Sequence, residues 1–271
     1  MKKEDRIQFD KDRLENIENM HKDPILKEMS AEYFNRISGH NYSYNFDWLT
    51  RPIIQFPQDI VAFQEIVWAV KPDLIIELGI ARGGSVILSA SLLALLDLCE
   101  NGNVSLAPKR SNPRRVLGVD IDIRDHNRKS LEDHPLYPRL TLIEGSSIDQ
   151  KIIQKVKDEV KGHKKILVCL DSNHTHNHVL AELEAYAPLV SIDSYCLVWD
   201  TVIANMPESM FQSRPWGKNN NPKTAVTEYL SRLDIEGRIG IDNMPLKFKN
   251  ENIFEKKLLL TVAPNGFLKR I

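Results

Sequence analysis

Four acidic residues each follow a short apolar run, and they are the residues of this sequence best placed to do chemistry. The runs are rich in Ile, Val and Leu, which is typical of buried parallel strands. The carboxyl ends of parallel strands meet at one edge of a sheet, where ligands bind. We therefore expect one ligand cleft surrounded by the four carboxylates, which belong to Glu77, Asp120, Asp171 and Asp200.

A glycine-rich turn follows the first run, in the segment L-I-I-E-L-G-I-A-R-G-G-S of residues 74–85. Glycine lets a backbone approach a nucleotide-like ligand closely because it has no Cβ. The spacing G-x-x-x-G-G differs from the G-x-G-x-x-G of pyrophosphate-binding turns, and Glu77 would repel pyrophosphate. A cationic methionine moiety, as in S-adenosylmethionine, suits Glu77 better. The turn residues of this predicted site are Gly79, Gly83, Gly84 and Ser85. A plain turn, in which the glycines serve only the chain reversal, is the alternative.

The next two strand ends carry residues suited to the nucleoside part of the same ligand. The second run, V-L-G-V-D-I-D, contains Asp120 and Asp122, and an acidic residue at this point holds ribose hydroxyls in nucleoside-binding α/β folds. Ser146 and Ser147 follow the third run and suit the edge of an adenine ring. The alternatives are a solvated carboxylate or helix cap at Asp120, and an ordinary turn at the serines.

The last two strand ends predict a metal site. If the strands before Asp171 and Asp200 are neighbours, their carboxylates converge, and like charges so close favour a bound divalent cation. Oxygen ligands select Mg²⁺ or a similar hard ion. The alternative is that the two carboxylates cap the helices that follow them.

The run H-T-H-N-H at residues 174–178 does not predict zinc, because three histidines at this spacing cannot face one ion from a helix. His176 and His178 are expected to cap or pack. His174 stands three residues after Asp171, at the edge of the predicted metal site, and is the best candidate for a general base.

Composition excludes several classes of function. The 271 residues carry a net charge of −1, so no basic field would recruit nucleic acid. The N-terminus M-K-K-E-D-R-I lacks an apolar signal core, and no stretch approaches a membrane span. The three cysteines show no metal-binding spacing. We expect a cytoplasmic protein that acts on a small molecule.

Alternation of strands and helices predicts an α/β fold with a doubly wound, mostly parallel sheet and an N-terminal helical arm. Residues 1–57 are assigned to the arm or lid, with a homo-oligomer contact as one role, and residues 58–271 to the ligand-binding domain. A polar linker is expected at 101–115. The irregular stretch 202–222, which contains Trp216, is predicted to be a mobile lid. A Pro-Asn-Gly turn near the C-terminus predicts a closing antiparallel strand, with its partner at 238–241 or 258–262.

An ordered set of motifs runs from about Trp48 to the C-terminus: W-L-T-R-P-I-I-Q-F-P-Q-D, I-I-E-L-G-x-x-x-G-G-S, G-V-D-I-D, L-D-S-N-H, R-P-W-G and N-N-P-K-T-A. With these motifs the sequence resembles the cephalosporin hydroxylase/rhamnosyl O-methyltransferase family, a branch of the class I S-adenosylmethionine-dependent methyltransferases. The glycine motif alone is weak evidence, whereas the ordered set is fairly specific.

The resemblance implies an O-methyltransferase with a sugar or small glycosylated or natural-product acceptor and a Mg²⁺ or Mn²⁺ ion. In that family an Asp-x-x-His after the fourth strand supplies a metal ligand and a base, roles that fall on Asp171 and His174. Members often carry Glu-Asp after the fifth strand, where this chain has Trp199-Asp200. Catechol-type O-methyltransferases use Asp-Asn there, so Asp200 and Thr201 are the implied ligands. The rivals are a nicotinamide-dependent oxidoreductase on the same fold and a non-catalytic module that binds S-adenosylmethionine.

Overall fold

The structure of the chain is a computed structural model that describes residues 3–101 and 114–271. The expected linker at 101–115 lies outside the described residues except for its ends. The helices are α1 (Lys3–Lys22), α2 (Pro24–Ser38), α3 (Pro57–Val70), α4 (Gly84–Asn101), α5 (Asp125–Glu132), α6 (Gln150–Glu159), α7 (His176–Tyr186), α8 (Pro222–Glu236) and α9 (Ile253–Leu258). The strands are β1 (Phe46–Trp48), β2 (Arg51–Ile53), β3 (Leu74–Leu78), β4 (Arg115–Asp120), β5 (Leu140–Glu144), β6 (Ile166–Leu170), β7 (Tyr195–Val198), β8 (Phe248–Asn250) and β9 (Phe267–Arg270). None of the helices in the described part of the chain has the length and apolar character that a membrane crossing requires.

Across the described residues, seven strands form one sheet in the order β5-β4-β3-β6-β7-β9-β8. The first five are parallel, β9 runs antiparallel to β7, and β8 runs antiparallel to β9. This is the class I methyltransferase fold, and the predicted doubly wound sheet is confirmed. The chain winds outward from β3 to β5 and returns to β6 beside β3, so the point where the order reverses lies between β3 and β6. Ligands bind at such a point in open α/β sheets.

Helices cover both faces of the sheet, and the alternation of side chains along each strand decides which face a residue meets. Ile75 of β3 packs into the core beneath α3 and α4, whereas Ile76 packs into the core beneath α6, α7 and α8. Glu77 lies two residues after Ile75 and therefore faces the same side of the sheet. Its carboxyl therefore points toward α4, into the layer that also contains the glycine turn.

The C-terminal edge differs from the prediction. The Pro264-Asn265-Gly266 turn does lead into an antiparallel strand, β9, but its partner is neither of the two expected segments. Residues 238–241 contribute only an isolated bridge between Ile239 and Pro245, and Leu258 ends a helix. Besides β7, β9 pairs with β8, whose sequence F-K-N is short and has two polar residues, so no alternation marks it.

The N-terminal arm contains α1, α2 and the β1–β2 hairpin, and its buried residues Phe34, Ile53 and Phe56 pack into the core of the domain. Phe34 of α2 stacks on Phe56 at a centroid distance of 4.8 Å, and Tyr42 packs beside Phe56 at 5.3 Å. Lys256 of α9 pairs with Glu18 of α1. The division of the chain at residue 57 and the oligomer contact stay predictions.

Candidate active site

A cleft of about 410 Å³ opens at the carboxyl ends of β3, β6 and β7. The glycine turn forms one wall, the acidic strand ends form the floor, and the arm and the loop after β7 form the remaining walls. The lining includes Arg82, Ser85, Asp171, His174, Arg214 and Trp216. A second pocket of about 110 Å³ continues past Gly79 to the ends of β4 and β5.

Two glycines of the turn are required by close protein contacts. Gly79 has φ +89°, and a Cβ there would lie 2.1 Å from the backbone oxygen of Asp171. A Cβ on Gly84 would lie 2.3 Å from the backbone oxygen of Pro52 in β2. The glycines therefore bring the turn against β6 and the β1–β2 hairpin. The expected approach to a ligand is not the whole reason for glycine here, since protein backbone already occupies that space.

Asp120 organises this turn. Its Oδ2 accepts hydrogen bonds from the backbone nitrogens of Ile80 (2.9 Å) and Ala81 (3.0 Å), and its Oδ1 accepts from the nitrogen of Asp122 (3.2 Å). The side chain of Asp122 is 65% exposed and lies 3.6 Å from Arg124. Asp120 lines the smaller pocket and Asp122 lines neither pocket, and a role for each in binding the ribose stays a prediction.

A buried polar network lies beside the smaller pocket and includes residues that sequence reasoning missed. Ser147 and Ser172 both donate their hydroxyls to Oε1 of Glu182, which is fully buried, and both contact Nε2 of His178, at 3.0 and 3.2 Å. Ser146, Ser147 and His178 line the pocket. His178 was expected to cap or pack. Its position four residues before Glu182 on α7 is the one signal that could have linked them.

Glu77 is buried beneath the cleft. Its Oε1 accepts a hydrogen bond from Ser89 of α4, and burial raises the pKa of Glu77 to about 7 against the opposing effect of hydrogen bonds from Ser89 and Ser85. Glu77 and Asp59 both line a further small cavity beneath the cleft. Burial raises the pKa of Asp59 to about 7, although Thr261 and the nitrogen of Val262 donate hydrogen bonds to it. A contact between Glu77 and a donor's amino group stays a prediction.

Asp171, His174 and Asp200 converge at the cleft floor. Their candidate ligand atoms all lie within 4.8 Å of one another. The sequence predicted that Asp171 and Asp200 converge if the strands before them are neighbours, and β6 and β7 do pair with each other. Asp200 adopts a left-handed backbone conformation (φ 56°), which aspartate tolerates. Burial, and then the charges of Asp200, Glu77 and Glu182, raise the pKa of Asp171 well above its usual range.

His174 is oriented from two sides. Its Nε2 lies 3.3 Å from Oδ2 of Asp200, and its ring meets the ring of Trp216 edge-on at 4.7 Å. Thr201 does not join this group, since it is buried and its hydroxyl donates to the backbone oxygen of Pro264 at 2.7 Å. The geometry therefore does not support Thr201 as a metal ligand. His176 packs as expected, between Thr224 (2.8 Å) and Glu228 (3.0 Å) of α8.

Gln55 and Trp199 complete the floor. Gln55, which sequence reasoning missed, donates from Nε2 to Oδ2 of Asp171 at 3.4 Å, and its buried Oε1 has no hydrogen-bond partner in the described structure. Trp199 is 6% exposed and packs on Phe267. It lines the cavity beside Asp59 and Glu77, so an indole occupies the position where the resemblance implies a glutamate ligand.

Comparison with known proteins gives consistent matches. The family model described as Rhamnosyl O-methyltransferase/CmcI matches residues 40–271. A rhamnosyl O-methyltransferase of Mycobacterium tuberculosis is 32% identical over 216 residues, which cover 78% of this chain and 73% of that protein. The one from Mycobacterium leprae is 27% identical over 245 residues, covering 89% and 90%. A solved structure of CmcI with Mg and SAM has a TM-score of 0.53 and 14% identity, covering 84% of this chain and 77% of that one.

Proposed function

The chain belongs to the Rhamnosyl O-methyltransferase/CmcI family and is an S-adenosylmethionine-dependent O-methyltransferase, and we propose that it methylates a hydroxyl of a sugar or a small glycosylated or natural-product acceptor with the help of a divalent cation. One observation carries the proposal: the group of Asp171, His174 and Asp200 opens into the same cleft as the glycine turn. A methyl donor on the turn and an acceptor on the floor would therefore meet.

The donor would lie along the glycine turn and extend into the smaller pocket. In this proposal Glu77 and Ser85 face the methionine end, Asp120 the ribose, and Ser146 and Ser147 the adenine. Support comes from the lining of the two pockets, which share Gly79. The hydrogen bonds that Asp120 makes hold the turn in place before any ligand binds, and such preorganisation reduces the cost of binding.

The floor residues fit a small divalent ion. Asp171 and Asp200 offer carboxylate oxygens, the ligand type that Mg²⁺ and Mn²⁺ prefer. Their mutual repulsion, which raises the pKa of Asp171, is the kind of field that a cation relieves. When bound, such an ion supplies Lewis acidity that makes an acceptor hydroxyl easier to deprotonate. The unpartnered oxygen of Gln55 is a further oxygen donor beside the group.

His174 would take the proton from the acceptor hydroxyl. Asp200 and Trp216 fix its ring, so that one nitrogen faces Asp200 and the imidazole stays at the floor of the cleft. A positioned base of this kind contributes a factor of about 10²–10⁴ to rate. The walls hold the acceptor so that oxygen, methyl carbon and sulfur lie in line, which removes most of the entropic cost of bringing them together.

The test is methyl transfer from labelled S-adenosylmethionine to a panel of rhamnosides and other glycosides, with products identified by mass spectrometry. We expect an O-methylated sugar, loss of activity with chelator, and recovery with Mg²⁺ or Mn²⁺. Reduction of NAD without methyl transfer would instead identify an oxidoreductase. Binding of S-adenosylhomocysteine with no transfer to any acceptor, including those made in a cell extract, would identify a non-catalytic module.

A further inference from the structure

The cleft combines an acidic floor with cationic side chains on its walls. Arg82 belongs to the glycine turn and Arg214 to the loop after β7, and both line the cleft with His174. Within residues 3–101 and 114–271, neither Arg82 nor Arg214 forms an ion pair with a carboxylate, and both residues are exposed. Two exposed arginines without acidic partners, facing the same cleft, create a local site for an anion.

Arg51 strengthens the positive field on the Arg82 side. Its guanidinium lies against the glycine turn, where it donates to the backbone oxygen of Arg82 and, at 3.2 Å, to Oδ1 of Asn127. Partial burial, and next the positive charge of Arg82, lower the pKa of Arg51, and Asp47 opposes them. Two guanidinium groups close enough to repel are stabilised by an anion between or beside them.

Arg214 is tied to the catalytic floor through one aromatic ring. Its guanidinium carbon lies 5.3 Å from the centre of the Trp216 ring, and the same ring contacts His174 at 4.7 Å. An acceptor whose hydroxyl reaches His174 would therefore extend past Trp216 toward Arg214. The arginine fork matches the oxygens of a phosphate better than a lysine would.

We propose that Arg82 and Arg214 form an anion subsite of the acceptor cleft, and that the acceptor is a sugar carrying a phosphate or diphosphate away from the methylated hydroxyl. This inference rests on the proposed function and narrows its substrate class. The phosphate would lie at the arginine walls, and the sugar hydroxyl would reach His174 at the floor. A nucleoside diphosphate sugar and a simple sugar phosphate share this chemistry.

Binding experiments separate the subsite from catalysis. Calorimetry uses the full chain saturated with S-adenosylhomocysteine, and the probes are inorganic pyrophosphate, a nucleoside diphosphate and a hexose 1-phosphate. We expect pyrophosphate to bind, with affinity that falls as salt rises. Arg82→Gln and Arg214→Gln should each weaken it about tenfold, the loss of one charge-assisted contact. Arg13→Gln, on the exposed face of α1, is the matched control and should leave it unchanged.

If the nucleoside diphosphate binds more tightly than pyrophosphate, the acceptor is a nucleoside diphosphate sugar. If the two bind equally and the hexose 1-phosphate also binds, the acceptor is a sugar phosphate. In turnover assays, the two variants should raise KM for a phosphorylated sugar about tenfold and leave KM for the matching neutral glycoside unchanged.

Two results would overturn the subsite: pyrophosphate that binds wild type and the double variant equally, or Arg82→Gln that weakens S-adenosylhomocysteine instead, which would assign Arg82 to the donor's carboxylate. Methylation of neutral glycosides alone would keep the proposed function and remove this inference. If the variants lose pyrophosphate binding but the enzyme methylates no sugar, the anion subsite would stand and the proposed function would fail.

Discussion

The two halves of the site differ in how their charges are balanced. At the ends of β4 and β5, Asp120 accepts three backbone hydrogen bonds, and Ser147 is held by Glu182 and His178. At the ends of β6 and β7, Asp171 faces Asp200, and among residues 3–101 and 114–271 their charges are offset only by a long hydrogen bond from Gln55 and the contact between Asp200 and His174. The first half satisfies most of its polar groups internally, although Oε2 of Glu182 has no hydrogen-bond partner in the described structure, whereas two carboxylates converge in the second half.

This difference indicates which half depends on a ligand to be electrostatically stable. A carboxylate that accepts backbone hydrogen bonds keeps its charge at little cost, whereas two converging carboxylates repel until a cation binds. In the proposed function, the half at β4 and β5 would therefore provide a fixed shape for the donor. The half at β6 and β7 provides charge that a metal and an acceptor would complete.

The largest expected effect on the difference between the two halves comes from a substitution of Asp171. Asp171→Asn removes one of two converging charges, so Mg²⁺ or Mn²⁺ should no longer restore activity after chelation. We expect turnover to fall by at least about a thousandfold, since metal assistance is worth several kcal/mol. Calorimetry with the metal alone, beside the activity assay, checks the cause. Wild-type metal binding in this variant would contradict the assignment of Asp171 as a ligand.

His174→Ala tests, in the half at β6 and β7, whether His174 acts as the base or as a metal ligand. Turnover should fall by about 10²–10⁴ while metal and S-adenosylhomocysteine bind as in wild type. His176→Gln is the matched control, because His176 contacts α8 outside the cleft. If metal affinity falls together with turnover, His174 is a ligand and the base is another group.

The positions of the acidic residues in the two halves of the site were predictable from the sequence. Short buried strands ending in Glu77, Asp120, Asp171 and Asp200 are a local pattern, and the parallel sheet brings those strand ends to one edge. The pairing of β6 with β7 was only a condition in the sequence, and the sheet order met it. The glycine spacing located the turn, but it could not show that β2 and β6 press against Gly84 and Gly79.

The remaining features depend on contacts between segments far apart in the chain. Gln55 reaches Asp171 across 116 positions, and Glu182 reaches Ser147 across 35. No local spacing encodes either contact. The same reason explains the missed strand β8, because its F-K-N sequence forms a strand only when β9 lies beside it.

Glu77, at the end of β3, is a buried carboxyl outside the half at β6 and β7, and its titration tests whether unbalanced charge is confined to that half. Its pKa is about 7 in the fold and 4.5 when exposed, so the fold binds the proton more tightly than the unfolded chain does. The stability this contributes is fully present below pH 4.5 and is lost as pH rises through about 7. Glu77→Gln mimics the neutral acid, and its advantage over wild type should grow with pH to on the order of 3 kcal/mol. Urea unfolding from pH 4 to 8 measures it.

The matched control for Glu77→Gln is Glu132→Gln, since Glu132 is exposed at the end of α5. Its difference from wild type over the same pH range measures what the loss of an exposed carboxyl does by itself. A flat difference for Glu77→Gln would mean that Glu77 is charged in the fold at neutral pH. A charged Glu77 at the end of β3, next to β4, would then be an unbalanced charge outside the half at β6 and β7, and the contrast between the halves would be lost.

The smallest expected effect concerns Asp120 and tests whether its hydrogen bonds shape the donor site. Asp120→Ala frees the nitrogens of Ile80 and Ala81, so the turn loses its anchor along with any ribose contact. Affinity for S-adenosylhomocysteine should fall by about 1–3 kcal/mol, whereas Asp122→Ala, whose side chain is exposed, should change it by less than about 0.5 kcal/mol. Calorimetry gives both values, and amide hydrogen exchange at Ala81 separates the two roles of Asp120. Faster exchange in the free variant identifies the anchoring role, and lost affinity with unchanged exchange identifies the ribose contact alone. Equal effects of the two substitutions on affinity would show that the backbone bonds of Asp120 have no special part in forming this half of the site.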